Sequence, residues 1–131
     1  MILVYGGELN RMDEGILESI LESVKAILGI VADDESFDTA LIMHINSAFF
    51  ILNQLGVGPA TCYKIEDDSN TWDEFISNAS DLEAVKSYVG LKVRQLFDPP
   101  TSGSHMEALN NQIREFECRL NYQVDPGVKE A

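Results

Sequence analysis

Basic residues are scarce in this 131-residue chain: 9 lysines and arginines stand against 22 aspartates and glutamates, for a net charge of −13. A surface of that sign repels phosphate backbones and anionic lipid, which excludes duplex binding through a basic patch. It suits a soluble acidic protein, or one that lies near DNA without sticking to it. Cysteine is scarcer still. Cys62 and Cys118 are far apart and match no paired-ligand spacing, so they read as free thiols of a reducing cytosol rather than a disulfide or zinc framework. No apolar run approaches the ~20 residues that span a bilayer, so no membrane partner is expected. The opening MILVYGGELNR lacks a basic leader, and its apolar run is too short for a secretory signal.

Catalytic signatures are missing as well. The only histidines are His44, on a hydrophobic helix where it reads as a core or interface residue, and His105, in a helix first turn where solvent is its default surrounding. There is no HExxH, no paired CxxC, no glycine-rich phosphate loop and no Gly-x-Ser-x-Gly turn. Glu66, Asp67 and Asp68 offer carboxylates to a cation but lack the glycine and ligand spacing of a calcium loop, so a solvated loop is the plainer reading. The expectation is no catalytic residue, no metal and no cofactor.

What remains is helix. Hydrophobic residues make up 45% of the chain, enough for one domain with its own core. Ile16, Leu17, Ile20, Leu21, Val24, Ile27 and Leu28 keep one face apolar from Asp13 onward, and Gly29 stops that helix. A second helix is expected from Phe37 to Leu55, with Leu41, Ile45, Ala48, Leu52 and Leu55 on one face. Ile42, Met43, Phe49, Phe50 and Ile51 fill its other faces. A helix apolar nearly all round is either central or shared with a partner subunit. Ile42, Met43, Phe50 and Ile51 are therefore the candidate subunit interface.

Residues 60–70 are polar and irregular, with room for a short strand at Cys62–Ile65. Thr71 with Glu74 forms a capping-box pattern ahead of a brief helix, and Ser80 with Glu83 another ahead of a long one over Asp81–Phe97, core face Leu82, Val85, Val89, Val93 and Leu96. Pro99 disfavours helix geometry at Asp98, and Pro99 and Pro100 both lack an N–H, so the three residues make a structural turn. Ser104 and Glu107 read as a third capping box, before Met106, Leu109, Ile113, Phe116 and Leu120. The stretch Gly103-Ser104-His105-Met106 coincides with a tetrapeptide that cleaved expression tags leave at a chain start, yet here it is internal and reads as native. The junction is longer than the turn of a helix-turn-helix motif, and the last helix carries Glu107, Glu115 and Glu117 against Arg114 and Arg119. That helix is expected to end near Asn121, leaving a mobile tail. The fold class is all-α: four main helices and a short one, in a single domain.

The first residues read differently. Gly6-Gly7-Glu8 can be encoded by GGAGGUGAA, which contains a bacterial ribosome-binding sequence, and Met12 follows shortly after. On this reading Met12 is the natural start, 1–11 is a non-native or disordered leader, 12–125 is the domain and 126–131 is a mobile tail. Changing the Met12 codon to alanine in the natural gene is then expected to abolish the product. An undiminished product would sink the idea.

Two long strings, IMHINSAFFILNQLGVGP (42–59) and DLEAVKSYVGLKVRQLFDPP (81–100), followed by IREFECRLN (113–121), resemble the head–tail connector family of tailed bacteriophages and prophages, also labelled DNA-packaging proteins. The resemblance covers roughly residues 13–125. It implies a structural virion protein at the head–tail junction, assembled in the bacterial cytoplasm. Its partners would be copies of itself in a ring, dodecameric in the family, the portal protein above, and a stopper or tail-completion protein below. DNA would pass through the channel without sequence-specific binding. Tyr122, Gln123, Val124 and Asp125 are the candidate portal contact, and Glu66, Asp67 and Asp68 the channel or tail-side contact. Two alternatives stay open: another small head-completion or tail-side protein, or an acidic helical regulator of a host protein.

Overall fold

The computed structural model describes residues 16–76 and 81–124. The leader, Met12, Ser80, Asp125 and the tail 126–131 lie outside them. Among the described residues there are four α-helices and one 3-10 turn, and no strand: α1 (Ile20–Leu28), α2 (Asp38–Gln54), the turn at Trp72–Glu74, α3 (Leu82–Phe97) and α4 (Gly103–Val124). The class is the all-α one that the periodicity indicates.

α1 begins later than its apolar pattern suggests. Ser19 is extended (φ −63, ψ 131) and caps the helix, its hydroxyl accepting the Glu22 N–H at 3.2 Å. It also bridges Thr71 in antiparallel fashion, so the Ile20 N–H donates to Asn70 O at 2.9 Å and the Trp72 N–H to Glu18 O at 3.2 Å. That pairing interrupts the helix over residues 17–19, and Leu17 points outward, 54% exposed. At the other end Gly29 closes α1 in the left-handed region (φ 82) and donates to Ala26 O, a conformation that suits a residue without Cβ.

α2 is the central helix and packs on both α1 and α3. Leu41, Ile45, Ala48, Phe49 and Leu52 are buried. None of the acidic residues before it acts as its side-chain cap; Asp34 instead accepts the Ser36 N–H, and Phe37 occupies the cap position. Gly58 (φ 91) then leaves room for the Phe75 ring: a Cβ there would lie 2.4 Å from Phe75 Cε1.

The strand allowed at Cys62–Ile65 does not form. Ile65 meets the side chain of Asn46 on α2 instead of another strand, donating its N–H at 2.8 Å and accepting the amide at 3.1 Å. One asparagine satisfies both backbone groups, which removes the need for a partner strand. The Thr71–Glu74 box is not made either. The Thr71 hydroxyl donates to the Asp73 carboxylate, while Glu74 accepts the Tyr63 hydroxyl at 2.6 Å and the Asn70 amide at 2.9 Å. The Asn70 bond, then the Tyr63 bond, hold the Glu74 carboxyl below its ordinary value. A depressed folded value contributes stability above the unfolded carboxylate value and loses it as pH falls through the folded one. A wild-type advantage over Glu74→Gln in thermal midpoint is therefore expected near neutrality and should vanish in acid. A pH-independent difference would count against this lock.

α3 buries Leu82, Val85, Val89 and Val93 as its periodicity indicates, and adds Tyr88, whose hydroxyl donates to Glu117 of α4 at 2.8 Å. Burial, then that carboxylate, push the phenol's pKa up. Leu96 does not join the core; it is 42% exposed because the apolar stripe outruns its partners and Phe97 takes the end position, its ring 5.4 Å from Phe37 and 6.3 Å from half-buried His44. Asp98 leaves the helix (φ −144, ψ 67), the non-helical geometry that a following proline favours.

The start of α4 corrects the third capping box. Ser102, not Ser104, serves the helix end: its hydroxyl accepts the His105 N–H at 3.4 Å and its carbonyl the Met106 N–H at 2.9 Å. Ser104 and Glu107 lie inside the first turns, where neither can cap. The Gly-Ser-His-Met stretch is therefore helix, and Met106 packs against the core beside buried Leu109, Ile113 and Leu120. The helix runs on to Val124, past the expected stop near Asn121, so Tyr122, Gln123 and Val124 are helical in backbone rather than part of a tail.

Candidate assembly surfaces

The first surface follows from α2. A 17-residue helix with five buried positions on one face turns the opposite face outward, and that face carries Met43 and Phe50, 60% and 52% exposed. Ile42 and Ile51 are half-buried flanks packed against the core. Because Asn46 clamps Ile65, the loop runs beside the helix and sets Lys64 against it. The result is an open depression of about 420 Å³ lined by Met43, Asn46, Ser47, Phe50, Ile51 and Lys64. Of the four interface candidates, Met43 and Phe50 are thus presented to solvent, and Ile42 and Ile51 support them.

The second surface was not singled out from the sequence. α1 and α4 both pack on α3 and leave a groove of about 360 Å³ between them. Its floor is Ser87, Gly90, Leu91 and Arg94 of α3; Ile27 forms one wall, Gln112 and Phe116 the other. Ile27 reaches over the bare backbone of Gly90, where a Cβ would lie 3.0 Å from Ile27 Cδ1. A signal was available, since these four α3 positions recur at i, i+3, i+4 and i+7, the spacing of one helix face. The stronger valine stripe on the same helix overshadowed it.

The remaining candidates do not gather into a site. Glu66, Asp67 and Asp68 are exposed in the 55–71 segment. Asp67 accepts the Ser69 N–H at 2.9 Å and the Ser69 hydroxyl, and these bonds, the hydroxyl first, lower its pKa. The cluster thus holds its own turn together. Asp98, Pro99 and Pro100 sit at the α3–α4 junction, away from both depressions. Among the described residues no three His, Cys, Asp or Glu side chains are placed to hold a metal ion, no helix is long and apolar enough to cross a membrane, and Cys62 and Cys118 are exposed free thiols.

A family model described as phage connector protein matches residues 20–127, from the first residue of α1 to beyond the end of α4. The chain belongs to the phage connector protein family. Neither a curated protein nor a solved structure matches it. The match spans both surfaces and the Pro-Pro junction, so Gly103–Met106 is internal to the family domain. Membership gives this connector a head–tail connector role in a phage and places it in a structural rather than an enzymatic family.

Proposed function

We propose that this connector assembles as a ring beneath the portal of the filled head, extends the DNA channel and provides the platform on which the tail or a stopper protein docks. The observation that carries this reading is the outward face of α2. Met43 and Phe50 are exposed on the central helix of an otherwise well-buried core, in a chain whose family is that of phage connectors. Large apolar side chains placed together on a surface mark an interaction site. A closed ring is heterologous, so each subunit must present two different surfaces.

Charge supports the channel role. A ring built from copies of net charge −13 repels the phosphate backbone, which favours passage over capture. Glu66, Asp67 and Asp68, exposed on the loop, are the proposed channel or tail-side contact, and Tyr122 to Asp125, at and just past the end of α4, the proposed portal contact. In this reading the protein resides in the virion at the head–tail junction, after assembly in the host bacterial cytoplasm.

Native mass by light scattering tests it, first on the chain alone and then with the portal protein encoded in the same gene cluster. A ring under either condition is the expected result. A monomer that ignores the portal would overturn the reading and leave an acidic helical regulator as the better one.

A further inference from the structure

Arg94 is the single charged residue lining the α1–α3–α4 groove. It is exposed, and among the described residues it pairs with no carboxylate. On a chain with 22 carboxylates, a solvent-facing guanidinium without one offers a contact to an anion. Ile27, Leu91 and Phe116 make much of the remaining lining apolar. Two hydrogen bonds fix how its long walls run past each other. Gln95 donates to Asn110 at 2.7 Å and Tyr88 to Glu117 at 2.8 Å, so α3 and α4 are antiparallel. Arg94 is then level with residues 111–112 of α4, and Ser87 with the far end of the groove, just past Phe116. The groove thus fits a short segment with one apolar side chain and, about 6–10 Å further along, a carboxylate.

We propose that residues 125–131 turn back from the end of α4 and cover this groove, with Val128 between Ile27 and Phe116 and Glu130 on Arg94. Three observations select this occupant. First, it starts beside the groove: positions 112, 116, 119 and 123 share one face of α4, and the helix ends at Val124. Second, its composition fits. Asp125-Pro126-Gly127 suits a helix stop and a bend, Val128 is the one branched apolar residue after it, and Glu130 follows two residues on. Third, its length fits. The groove runs along α4 from about 12 Å to about 18 Å back from Val124. Six extended residues from Val124 to Glu130 reach up to about 20 Å, and the long Glu130 and Arg94 side chains make up what the bend takes. Tethering raises the effective concentration to about millimolar, so weak contacts suffice. The contact is within one chain and stands apart from the ring reading, and any partner that uses the groove must displace the tail.

Disulfide closure within one chain tests it. Ser87 is exposed at the Phe116 end of the groove floor, so Ser87→Cys is combined with Val128→Cys in the full chain. Cys62→Ser and Cys118→Ser remove the native thiols. Copper–phenanthroline oxidation at low protein concentration should give a monomeric, internally bridged product. Lys129→Cys in place of Val128→Cys should close at least about tenfold more slowly, because successive residues of an extended segment face opposite sides. Arg94→Glu should slow the closure by up to about fivefold, the scale of an exposed ion pair, and adding Glu130→Arg should restore it. Equal closure from positions 128 and 129 would mean a tail that only passes near the groove, and would overturn the proposal. So would a rate that Arg94→Glu leaves unchanged, or bridged dimers in place of the monomeric product, which would make another copy the occupant.

Discussion

Trp72→Ala is expected to lose about 3–5 kcal/mol of folding stability. Trp72 is fully buried although it sits in a three-residue 3-10 turn. Its ring lies 6.3 Å from Phe49 of α2, and its indole N–H donates at 3.1 Å to the Ser23 hydroxyl on α1, which itself donates at 2.7 Å to Ser19 O. One side chain thus holds the irregular 55–76 segment to two helices. Truncation leaves a cavity with helices on two sides that cannot collapse, and takes from the Ser23 hydroxyl the one donor it accepts from. Against a total of roughly 5–15 kcal/mol for a domain, the variant should be marginal or unfolded at room temperature. Trp72→Phe, which keeps most of the apolar volume, should lose less than half as much. Urea unfolding followed by circular dichroism measures both; a loss below about 1 kcal/mol for the alanine variant would show that the segment is held by other contacts.

The second large effect concerns a buried charge. Lys25 is 2% exposed, its ammonium 2.7 Å from Asp38 Oδ1 and 3.1 Å from Ala32 O. Asp38 Oδ1 accepts a hydrogen bond from no other described group. The pair ties the last turn of α1 to the first turn of α2 and encloses the 29–37 connection. Breaking a buried pair by removing one partner costs about 3–5 kcal/mol, because the other charge is stranded. Asp38→Asn strands the deeper charge and should approach the upper figure. Lys25→Met strands Asp38, which keeps some contact with water and the α2 N-terminus, and should fall near the lower one. Replacing both together should cost less than either alone, since an apolar side chain of similar volume then fills the site without a charge to desolvate. A double variant as unstable as the sum of the singles would mean that the lysine acts by shape and not by pairing.

Both residues were inconspicuous in the sequence. Trp72 was legible only as part of a brief helix, and Lys25 carried no assigned role. Nothing local sets either apart, because each acquires its role from partners elsewhere: Ser23 lies 49 positions from Trp72. The same holds for the candidate surfaces. The apolar excess of α2 was visible, but which of its residues face outward depends on where α1 and α3 pack. The groove between α1, α3 and α4 exists only once three helices are placed.

The sequence by itself determined the all-α class, the four helices, most of the buried positions of α2, α3 and α4, though not Phe49, and the resemblance to the connector family. The class, the helices and the buried positions rest on side-chain periodicity and on proline, whose effects reach no further than one or two turns, and the resemblance on the long strings 42–59, 81–100 and 113–121. Tertiary structure decided the late start of α1, the use of Ser102 as a cap and the absence of a strand at Cys62–Ile65. It also placed Trp72 and Lys25 in the interior. The physical reason is that a backbone N–H or carbonyl outside a helix is indifferent to which acceptor or donor satisfies it. Ser19 finds Thr71, and Ile65 finds Asn46 19 residues away, only because the packed helices bring them together.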